Sequence, residues 1–426
     1  MRIERFDWDG SDPGALSKSV RALQPSLGEA RQPVAGIIEE VRKGGDDAIA
    51  AIEDRLGDRR IDPDQLRVPD EAIRAAASRL EPELVAALET AASNIRGVAE
   101  AQLTGDRSLE LPQGQSVELR EVPVASAGIY APGGAAAYPS TVLMGCIPAN
   151  AAGVGRIALA TPPGPGPQPV SDVILAAAAI GGATEVHAIG GAQAIAALAL
   201  GTERIKPVDV IAGPGNRYVQ EAKRQLAGEV GVDGIAGPSE LMVIAGDTAD
   251  AQWIALDLCA QAEHGADGLL VAAAVETVIL DGIAESVEEV TKRYGIADQA
   301  GLALVSVPDT AAGVLLANAI APEHLEILTE DAELLSGGAT TAGCVFVGEH
   351  GATAFGDYAA GSNHVLPTGG AGRFQGPLGP DAFRRRIATV EVTQEAAREL
   401  APVVATLARA EGFPLHADSV EARAKD

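Results

Sequence analysis

The sequence predicts an α/β protein made of two units in tandem, each a parallel sheet with helices on both faces. Short apolar strands alternate with helices from Arg156 to Leu226, and the same alternation starts again after Gly237 and continues to Val347. Such alternation through short connections is typical of βαβ units. The length of 426 residues also agrees with two main domains. We therefore expect two Rossmann-like domains in tandem, with helical N- and C-terminal appendages.

The individual elements follow from hydrophobic periodicity. Residues 14–110 are expected to be mainly helical. In the first α/β unit we expect strands at 117–124, 156–160, 185–189 and 208–212, and helices at 170–180, 192–200 and 216–226. In the second we expect strands at 241–245, 269–273, 303–307, 325–328 and 344–347, and helices at 250–262, 275–294, 311–320 and near Asp331. The proline-rich stretch 161–169 predicts an exposed loop, and the charged C-terminal part predicts helices at 381–387 and 394–411.

Composition restricts the partners and the location. The formal net charge is −27, from 59 acidic residues against 32 lysines and arginines, so the surface should repel nucleic acids and anionic membranes. No apolar run approaches the ~20 residues of a membrane span, and the N-terminal residues do not resemble a secretion signal. The three cysteines form no CxxC pair, as expected of buried thiols in a reducing compartment. We expect a cytoplasmic protein.

Gln261 and His264 lie three residues apart near the end of a predicted helix, so both side chains share one face. That spacing suits a chelating pair, although a histidine at a helix end is more commonly a capping residue. Glu323 directly precedes His324 where a loop enters a predicted strand. A carboxyl group beside an imidazole suits proton transfer, whereas a solvated glutamate beside a capping histidine is the plainer alternative.

Further metal donors are expected in a Gly-, Ser- and Asn-rich loop after the last predicted strand, where Asp357 and His364 are candidates. Loops at the carboxyl edge of a parallel sheet are where ligands bind. Glu411 and His416 offer one more carboxylate and imidazole. Oxygen and nitrogen donors without cysteine favour zinc, or less selectively manganese or cobalt, in an open catalytic site.

The evidence for a nucleotide site is partial. The stretch Gly213-Pro-Gly215-Asn216 runs from a strand into a helix with two glycines, which is half of a GxGxxG fingerprint. Such a turn lets backbone N–H groups approach a phosphate. Gly190-Gly191 is a second turn of the same kind.

Taken together, these motifs resemble the histidinol dehydrogenase family. The resemblance runs from about residue 30 to residue 420 and is carried by Tyr130-Ala-Pro-Gly-Gly, Gly190-Gly-Ala-Gln, Gly213-Pro-Gly-Asn, Ala236-Gly-Pro-Ser-Glu, Gln261-Ala-Glu-His-Gly, Ala321-Pro-Glu-His-Leu, Gly356-Asp-Tyr-Ala-Ala-Gly-Ser-Asn-His and Glu411-Gly-Phe-Pro-Leu-His. The segment 368–380 departs from it by being richer in glycine and proline than the family pattern.

The resemblance implies a double oxidation of L-histidinol, through L-histidinaldehyde, to L-histidine with two NAD, the last step of histidine biosynthesis. It also implies an intertwined homodimer, in which His416 comes from the partner subunit, and bound Zn²⁺, with Mn²⁺ as a substitute. The zinc ligands that it implies are Gln261, His264, Asp357 and His416. It makes Glu323 the residue that activates water and His324 the general base. The residues implied to hold the substrate are Ser239, Glu411 and His324 together with the four zinc ligands, and those implied to contact NAD are Tyr130, Gln193 and Asn216.

With these roles assigned, the expected domains are an N-terminal arm at 1–25, a first Rossmann-like domain at 26–128 plus 239–376, a second at 129–238, and a C-terminal appendage at 377–426. The first Rossmann-like domain would carry the metal and catalytic residues, the second the NAD contacts, and the appendage would cross the dimer.

Three alternatives stay open on the sequence. One is a related metal-dependent dehydrogenase acting on another amino alcohol or a sulfonated alcohol, against which Glu411 and His416 argue. Another is a zinc hydrolase in which Glu323 activates metal-bound water without NAD. The third is a non-catalytic nucleotide- or amino-acid-binding module, which the intact Glu323–His324 pair disfavours.

Overall fold

The computed structural model describes residues 1–24, 30–56, 61–133, 137–164, 168–265, 267–296 and 300–425. The chain divides into two compact units. The first comprises Met1–Ala101 and Ala125–Phe383, and the second comprises Gln102–Val124 and Arg384–Asp426. Part of the proline-rich loop expected at 161–169, namely 165–167, lies outside the described residues, as does Gly134 of the motif that begins at Tyr130.

The strands of the described residues, in chain order, are β1 Arg2–Asp7, β2 Arg107–Glu110, β3 Ser116–Pro123, β4 Ser126–Tyr130, β5 Arg156–Thr161, β6 Glu185–Ala188, β7 Val210–Ala212, β8 Gly231–Val232, β9 Glu240–Ala245, β10 Leu269–Ala274, β11 Gly301–Ser306, β12 His324–Leu328, β13 Cys344–Val347 and β14 Arg384–Glu391. The helices are α1 Pro13–Arg21, α2 Arg31–Leu56, α3 Asp70–Ala75, α4 Pro82–Ala101, α5 Pro139–Ala151, α6 Asp172–Gly181, α7 Gly191–Leu200, α8 Arg217–Leu226, α9 Ala251–Ala262, α10 Thr277–Tyr294, α11 Thr310–Ile320, α12 Ala332–Ser336, α13 Thr353–Tyr358, α14 Gln394–Ala410 and α15 Pro414–Arg423.

The first unit contains two parallel sheets, as the sequence predicts. One has six strands in the order β1-β11-β10-β9-β12-β13, and the other has five in the order β6-β5-β4-β7-β8. Strands β9 and β10 are buried along their whole length and, apart from Glu240 at the start of β9, apolar, because helices cover both faces of a parallel sheet. Leu241 and Val243 pack into one core and Met242 and Ile244 into the other, so the side chains of β9 alternate between the two faces.

The second unit is built on an antiparallel sheet with strand order β14-β3-β2, together with helices α14 and α15. Here the sequence prediction of a helix at 381–387 is wrong. A short 3-10 turn at Pro380–Phe383 is followed by β14, which pairs along its whole length with β3. Its charged side chains suit a largely exposed strand, and Arg386 forms an ion pair with Glu121 across the sheet.

Within α2, Gly45 has a non-helical φ of 52°, so Arg31–Leu56 consists of two helices joined at a kink. Two other differences from the sequence prediction concern the N-terminal segment and the stretch around Asp357. Residues 2–7, inside the segment expected to be an arm, form the edge strand β1 of the six-stranded sheet. The Gly- and Ser-rich stretch that holds Asp357 is not wholly a loop, because α13 runs through Thr353–Tyr358.

No helix in the described part of the chain combines the length and the apolar character that crossing a bilayer requires.

Candidate active site

A cavity of about 850 Å³ opens in the first unit, between the two parallel sheets. On one side lies the turn that follows β7, and on the other lie the residues that precede or begin β9 and β12. Seven of the eleven residues that the sequence assigns to the site line this cavity: Asn216, Ser239, Gln261, His264, Glu323, His324 and Asp357.

The two parallel sheets contribute opposite ends of their strands to the cavity. Tyr130 ends β4 and Asn216 follows β7, so the five-stranded sheet contributes its carboxyl ends. Ser239 precedes β9 and His324 begins β12, so the six-stranded sheet contributes its amino ends. The expectation that Asp357 lies at the carboxyl edge is therefore corrected, because α13 places this residue beside the first residue of β12. Likewise α9 runs back from its strand and carries Gln261 to the same edge.

Glu323 and His324 form a buried pair at the start of β12. The Glu323 carboxylate accepts the backbone N–H of Glu240 at 2.9 Å, and its Oε2 lies 3.6 Å from Nδ1 of His324. Burial raises the pKa of Glu323 to about 7. Burial lowers the pKa of His324, but the Glu323 and Asp357 carboxylates outweigh that effect and raise it to about 9. The pair can thus hold and move a proton near neutral pH.

His324 is oriented by contacts on both ring nitrogens. Nδ1 lies 3.2 Å from the carbonyl oxygen of Glu240 and 3.3 Å from the Gln261 amide nitrogen. Nε2 lies 3.4 Å from Oδ1 of Asp357. Beside the Glu323 and Asp357 carboxylates the ring is mainly protonated at neutral pH. In the neutral ring, an Nδ1 proton donated to the Glu240 carbonyl leaves Nε2 as the nitrogen that accepts a proton.

The expected metal ligands of the first unit all line the cavity. Gln261 is buried at the end of α9, His264 is exposed just beyond it, and Asp357 is partly buried on α13. Burial raises the pKa of Asp357, but hydrogen bonding to His324 and the neighbouring histidines lower it overall, so this carboxylate is ionised at neutral pH. In the described ranges, no three or more side chains of His, Cys, Asp and Glu form a group that could hold a metal ion. The donors present are an amide, an imidazole and a carboxylate, which are chemically suitable for zinc once a fourth ligand is added.

His364, a metal candidate on the sequence alone, lines the cavity but has protein partners on both ring nitrogens. Nδ1 lies 2.8 Å from the carbonyl oxygen of Asp357, and Nε2 lies 3.1 Å from Oγ1 of Thr141. Burial lowers its pKa, which favours the neutral ring. These contacts suit a role in fixing the end of α13 rather than in binding metal.

The three expected NAD contacts differ in exposure. Asn216 caps α8 by accepting the N–H groups of Tyr218 and Val219 at 3.0 and 3.2 Å, and it is exposed at the cavity wall. The Tyr130 hydroxyl is buried and accepts the Gly191 N–H at 3.1 Å. Gln193 is also buried, and its amide donates to Glu53 at 2.8 Å. These last two therefore lie beneath the cavity surface.

Glu411 and His416 lie in the second unit, at the end of α14 and in the first turn of α15. Both side chains are exposed, and the His416 ring centroid lies 5.4 Å from that of Phe413. They are therefore open to contact from outside their own unit.

Comparison with known proteins identifies the family. The family model described as "Histidinol dehydrogenase" matches residues 22–424. The chain belongs to the histidinol dehydrogenase family.

Relatives agree with that assignment. Histidinol dehydrogenase of Ruegeria pomeroyi is 43% identical over 396 residues, covering 92% of this chain and 91% of its own. The Bacillus licheniformis enzyme is 43% identical over 416 residues, covering 95% and 96%. The crystal structure of histidinol dehydrogenase from Elizabethkingia anophelis superposes with a TM-score of 0.90 at 32% identity, covering 99% of this chain and 98% of that chain. The sequence prediction of the family and of the α/β fold class is confirmed.

As a member of the histidinol dehydrogenase family, the chain is an NAD-linked oxidoreductase that oxidises histidinol to histidine in histidine biosynthesis. The predicted oxidation of histidinol to histidine is thereby confirmed, and the comparisons favour it over the hydrolase, the binding module and the dehydrogenase of another alcohol.

Glu240 is a residue of this histidinol dehydrogenase site that sequence reasoning missed. Its backbone contacts both Glu323 and His324, as described above, while its buried carboxylate pairs with Arg21 through bonds of 2.8 and 3.2 Å. The same carboxylate accepts the Gly369 N–H at 3.1 Å. The sequence does contain a signal for it, because Glu240 is a charged residue at the start of an otherwise apolar strand. A carboxylate buried there requires a partner.

Proposed function

We propose that the chain converts L-histidinol to L-histidine in two NAD-linked oxidations through L-histidinaldehyde, as the last step of histidine biosynthesis, with His324 as general base and Glu323 activating water. The observation that carries this proposal is the buried Glu323–His324 pair beside Asp357 in one cavity. NAD, when bound, accepts the hydride in each oxidation. The residues of the chain must therefore remove protons and deliver water.

In the first oxidation, Nε2 of His324 takes the proton of the substrate hydroxyl as the carbinol carbon loses hydride. In the second, Glu323 takes a proton from water as the water oxygen adds to the aldehyde carbon. His324 gives the carbonyl oxygen the proton that it gained in the first oxidation, which completes the hydrate and leaves His324 neutral. His324 then takes a hydrate hydroxyl proton as the second hydride leaves, which yields the carboxylic acid. The burial of both side chains supports these roles, because a base held away from bulk water keeps its orientation.

We also propose that Gln261, His264 and Asp357, with His416 of a second copy, hold Zn²⁺, with Mn²⁺ as a substitute. The support is that all three donors line the same cavity and that none of them is a thiolate. Zinc, when bound, fixes the substrate by its amine and imidazole nitrogens, which is templating. Ser239, in the same cavity, and Glu411 would hold the rest of the substrate.

The NAD contacts remain part of the proposal. Asn216 would contact the cofactor directly at the cavity wall, and Tyr130 and Gln193 would reach it after a small local movement of the Gly190-Gly191 turn. A fall in NAD affinity without loss of histidinol affinity in Asn216→Ala would support the first assignment.

The first experiment compares NADH yield per L-histidinol for the wild type, Glu323→Gln and His324→Ala. We expect two NADH for the wild type, lost on chelation and restored by zinc. Glu323→Gln keeps an acceptor for the Glu240 N–H, so the first oxidation should persist while the second slows by about 10²-fold or more. His324→Ala should slow both. The exposed Glu330→Gln serves as the matched control and should leave both steps unchanged.

Two outcomes would overturn the proposal. A folded, zinc-loaded wild type that forms no NADH from L-histidinol would remove the substrate assignment. Equal slowing of both oxidations by Glu323→Gln would remove the assignment of this residue to water activation.

The homodimer with a shared site is tested by complementation. Gln261→Ala and His416→Ala chains, each inactive alone, should regain part of the activity when unfolded and refolded together, because each mixed dimer contains one intact site. Each variant refolded by itself is the control. No recovery in mixed dimers shown to form would contradict the crossing of His416.

A cytoplasmic location is proposed on the chemistry of the cysteines. All three are unpaired in the structure, and a reducing compartment keeps such thiols reduced. Cell fractionation with the chain tagged at either end would test this.

A further inference from the structure

The turn Gly213–Asn216 carries the cavity-lining Asn216 and packs closely against the end of β4. Gly213 has a φ of 124°, and a Cβ added there would overlap the carbonyl oxygen of Tyr130. The side chain of Asn216 fixes one end of the turn to α8, whereas Gly213 at the other end has no side chain to anchor it. Something else must hold the backbone of Gly213.

That anchor is a buried ion pair between Lys223 on α8 and Asp233 after β8. The ammonium group of Lys223 donates to the Gly213 carbonyl at 3.1 Å, and the Asp233 carboxylate accepts the Gly213 N–H at 2.8 Å. The side chains of the two residues are only 1% and 6% exposed and contact each other directly. Both polar backbone groups of one glycine are thus held by the two partners of one ion pair.

Stability alone is a poor explanation for this pair. A buried ion pair loses so much hydration that apolar residues of similar volume often match it or do better. The bonds to Gly213 use hydrogen-bonding capacity that the pair would otherwise leave unmet. The two charges thus hold both polar groups of the Gly213 backbone in place.

The segment 368–380, distinctive in the sequence for its glycine and proline, supports the same anchor. Its Gln375 donates to the carbonyl oxygen of Asp233 at 2.7 Å, and its Thr368 accepts the N–H of Gly237. Ser239 lies two residues after Gly237. Residues 368–380 therefore hydrogen-bond both to Asp233, which holds Gly213, and to the loop that precedes β9.

We propose that Lys223 and Asp233 are positioning residues for NAD, which set the affinity for the cofactor through the Gly213–Asn216 turn and leave the affinity for histidinol unchanged. The proposal rests on the proposed contact between Asn216 and NAD.

The test is the double variant Lys223→Met with Asp233→Asn, which removes both charges, keeps an acceptor for the Gly213 N–H and nearly preserves the volume. The first readout is the Kd for NADH from its fluorescence, which needs no turnover. The second is the pair of KM values for NAD and L-histidinol. We expect the Kd and the NAD KM to rise about tenfold, with the histidinol KM and the kcat at saturating NAD changed by less than twofold.

A matched control is Arg156→Met with Glu185→Gln, which removes a partly buried ion pair of 2.6 Å at the opposite, amino end of the same sheet. It should lower stability and leave both KM values unchanged. If the first double variant does not fold, Gln375→Ala replaces it, because this change removes only the bond to the Asp233 carbonyl and should raise the NAD KM by about threefold.

A double-mutant cycle separates positioning from a general loss of structure. In an Asn216→Ala background the Lys223/Asp233 change should have little further effect on NADH binding. Unchanged NADH affinity in the folded double variant would overturn the proposal, as would an equal rise in both KM values. A wild type that binds NADH and does not oxidise histidinol would contradict the proposed function alone.

Discussion

Glu326 carries a buried carboxyl group on the same face of β12 as His324. Its Oε1 accepts the Thr353 N–H at 2.9 Å, at the start of the helix that carries Asp357, while its Oε2 has no hydrogen-bond partner. Burial, with a contribution from the Asp257 carboxyl, raises the pKa of Glu326 to about 8. Burial also raises the pKa of Asp257, to about 6. Glu326 is therefore protonated in the folded protein at neutral pH.

The sign of the pH effect follows from this direction. A group that binds its proton more tightly when folded adds stability that is complete below its unfolded pKa and is lost as the pH rises through its folded pKa. For Glu326 the window runs from about 4.5 to about 8. At 1.36 kcal/mol per pKa unit, the change across that window has an upper limit on the order of 5 kcal/mol.

The perturbation is Glu326→Gln, which cannot ionise and still accepts the Thr353 N–H. We expect its free energy of unfolding, relative to the wild type, to improve by about 2 to 4 kcal/mol between pH 5 and pH 9, since only the wild type must bury a charge at the higher pH. Urea unfolding at pH steps across that range, in identical buffers, gives the difference. Glu330→Gln, exposed on the same segment, is the control and should track the wild type. If the Glu326→Gln and wild-type curves ran parallel from pH 5 to pH 9, the carboxyl would titrate normally and the reasoning would be refuted.

Three further results are expected. Gly213→Ala should weaken NAD binding by at least tenfold and lower the free energy of unfolding by about 2 kcal/mol or more. The control Gly228→Ala has a φ of 102° and no atom within 4 Å of the new Cβ, so it should cost only backbone strain of about 1 kcal/mol. NADH titration and urea unfolding of both variants separate the loss of binding from the loss of stability. Burial raises the pKa of the Cys146 thiol to about 12 and also raises that of Cys259, so both should react with a thiol reagent only after unfolding, and fast labelling of the native protein would contradict this. Arg21→Gln leaves a buried carboxylate without its partner and should cost roughly 3 kcal/mol in unfolding free energy, with a lower kcat; an unchanged urea midpoint would show that the pair contributes nothing.

The parts of the fold that the sequence predicts best are those where hydrophobic burial decides the structure. The strands predicted from Arg156 to Val347 match the structure within about two residues at their ends, because a parallel strand covered on both faces must be apolar throughout, whereas the two-residue edge strand β8 is not predicted. The helix expected at 381–387 fails for the converse reason. Arg384–Glu391 is mostly exposed and charged, so its strand conformation comes from pairing with β3 and leaves little trace in the local pattern.

For the site, residue types and short motifs are sufficient to find the side chains that meet in the cavity. They are not sufficient to find the supports beneath them. Glu240 and Lys223 lie in ordinary apolar or amphipathic stretches, and their roles arise from partners far away in the sequence, at Arg21 and Asp233. The sequence also predicts the wrong edge of the six-stranded sheet for Asp357. The direction of α13, which carries this residue, depends on packing that hydrophobic periodicity does not encode.

The use of opposite sheet ends in one cavity has a consequence for how such an enzyme can be changed. The turns that face the proposed nucleotide belong to one sheet, and the residues proposed for acid–base chemistry and metal binding lie beside the strands of the other. A redesign of cofactor preference can therefore be confined to the connections that follow β4, β6 and β7, while the acid–base pair stays intact. For the same reason, substitutions of the residues before β9 and β12 can change which substrates are accepted without changing the turns proposed to bind the dinucleotide.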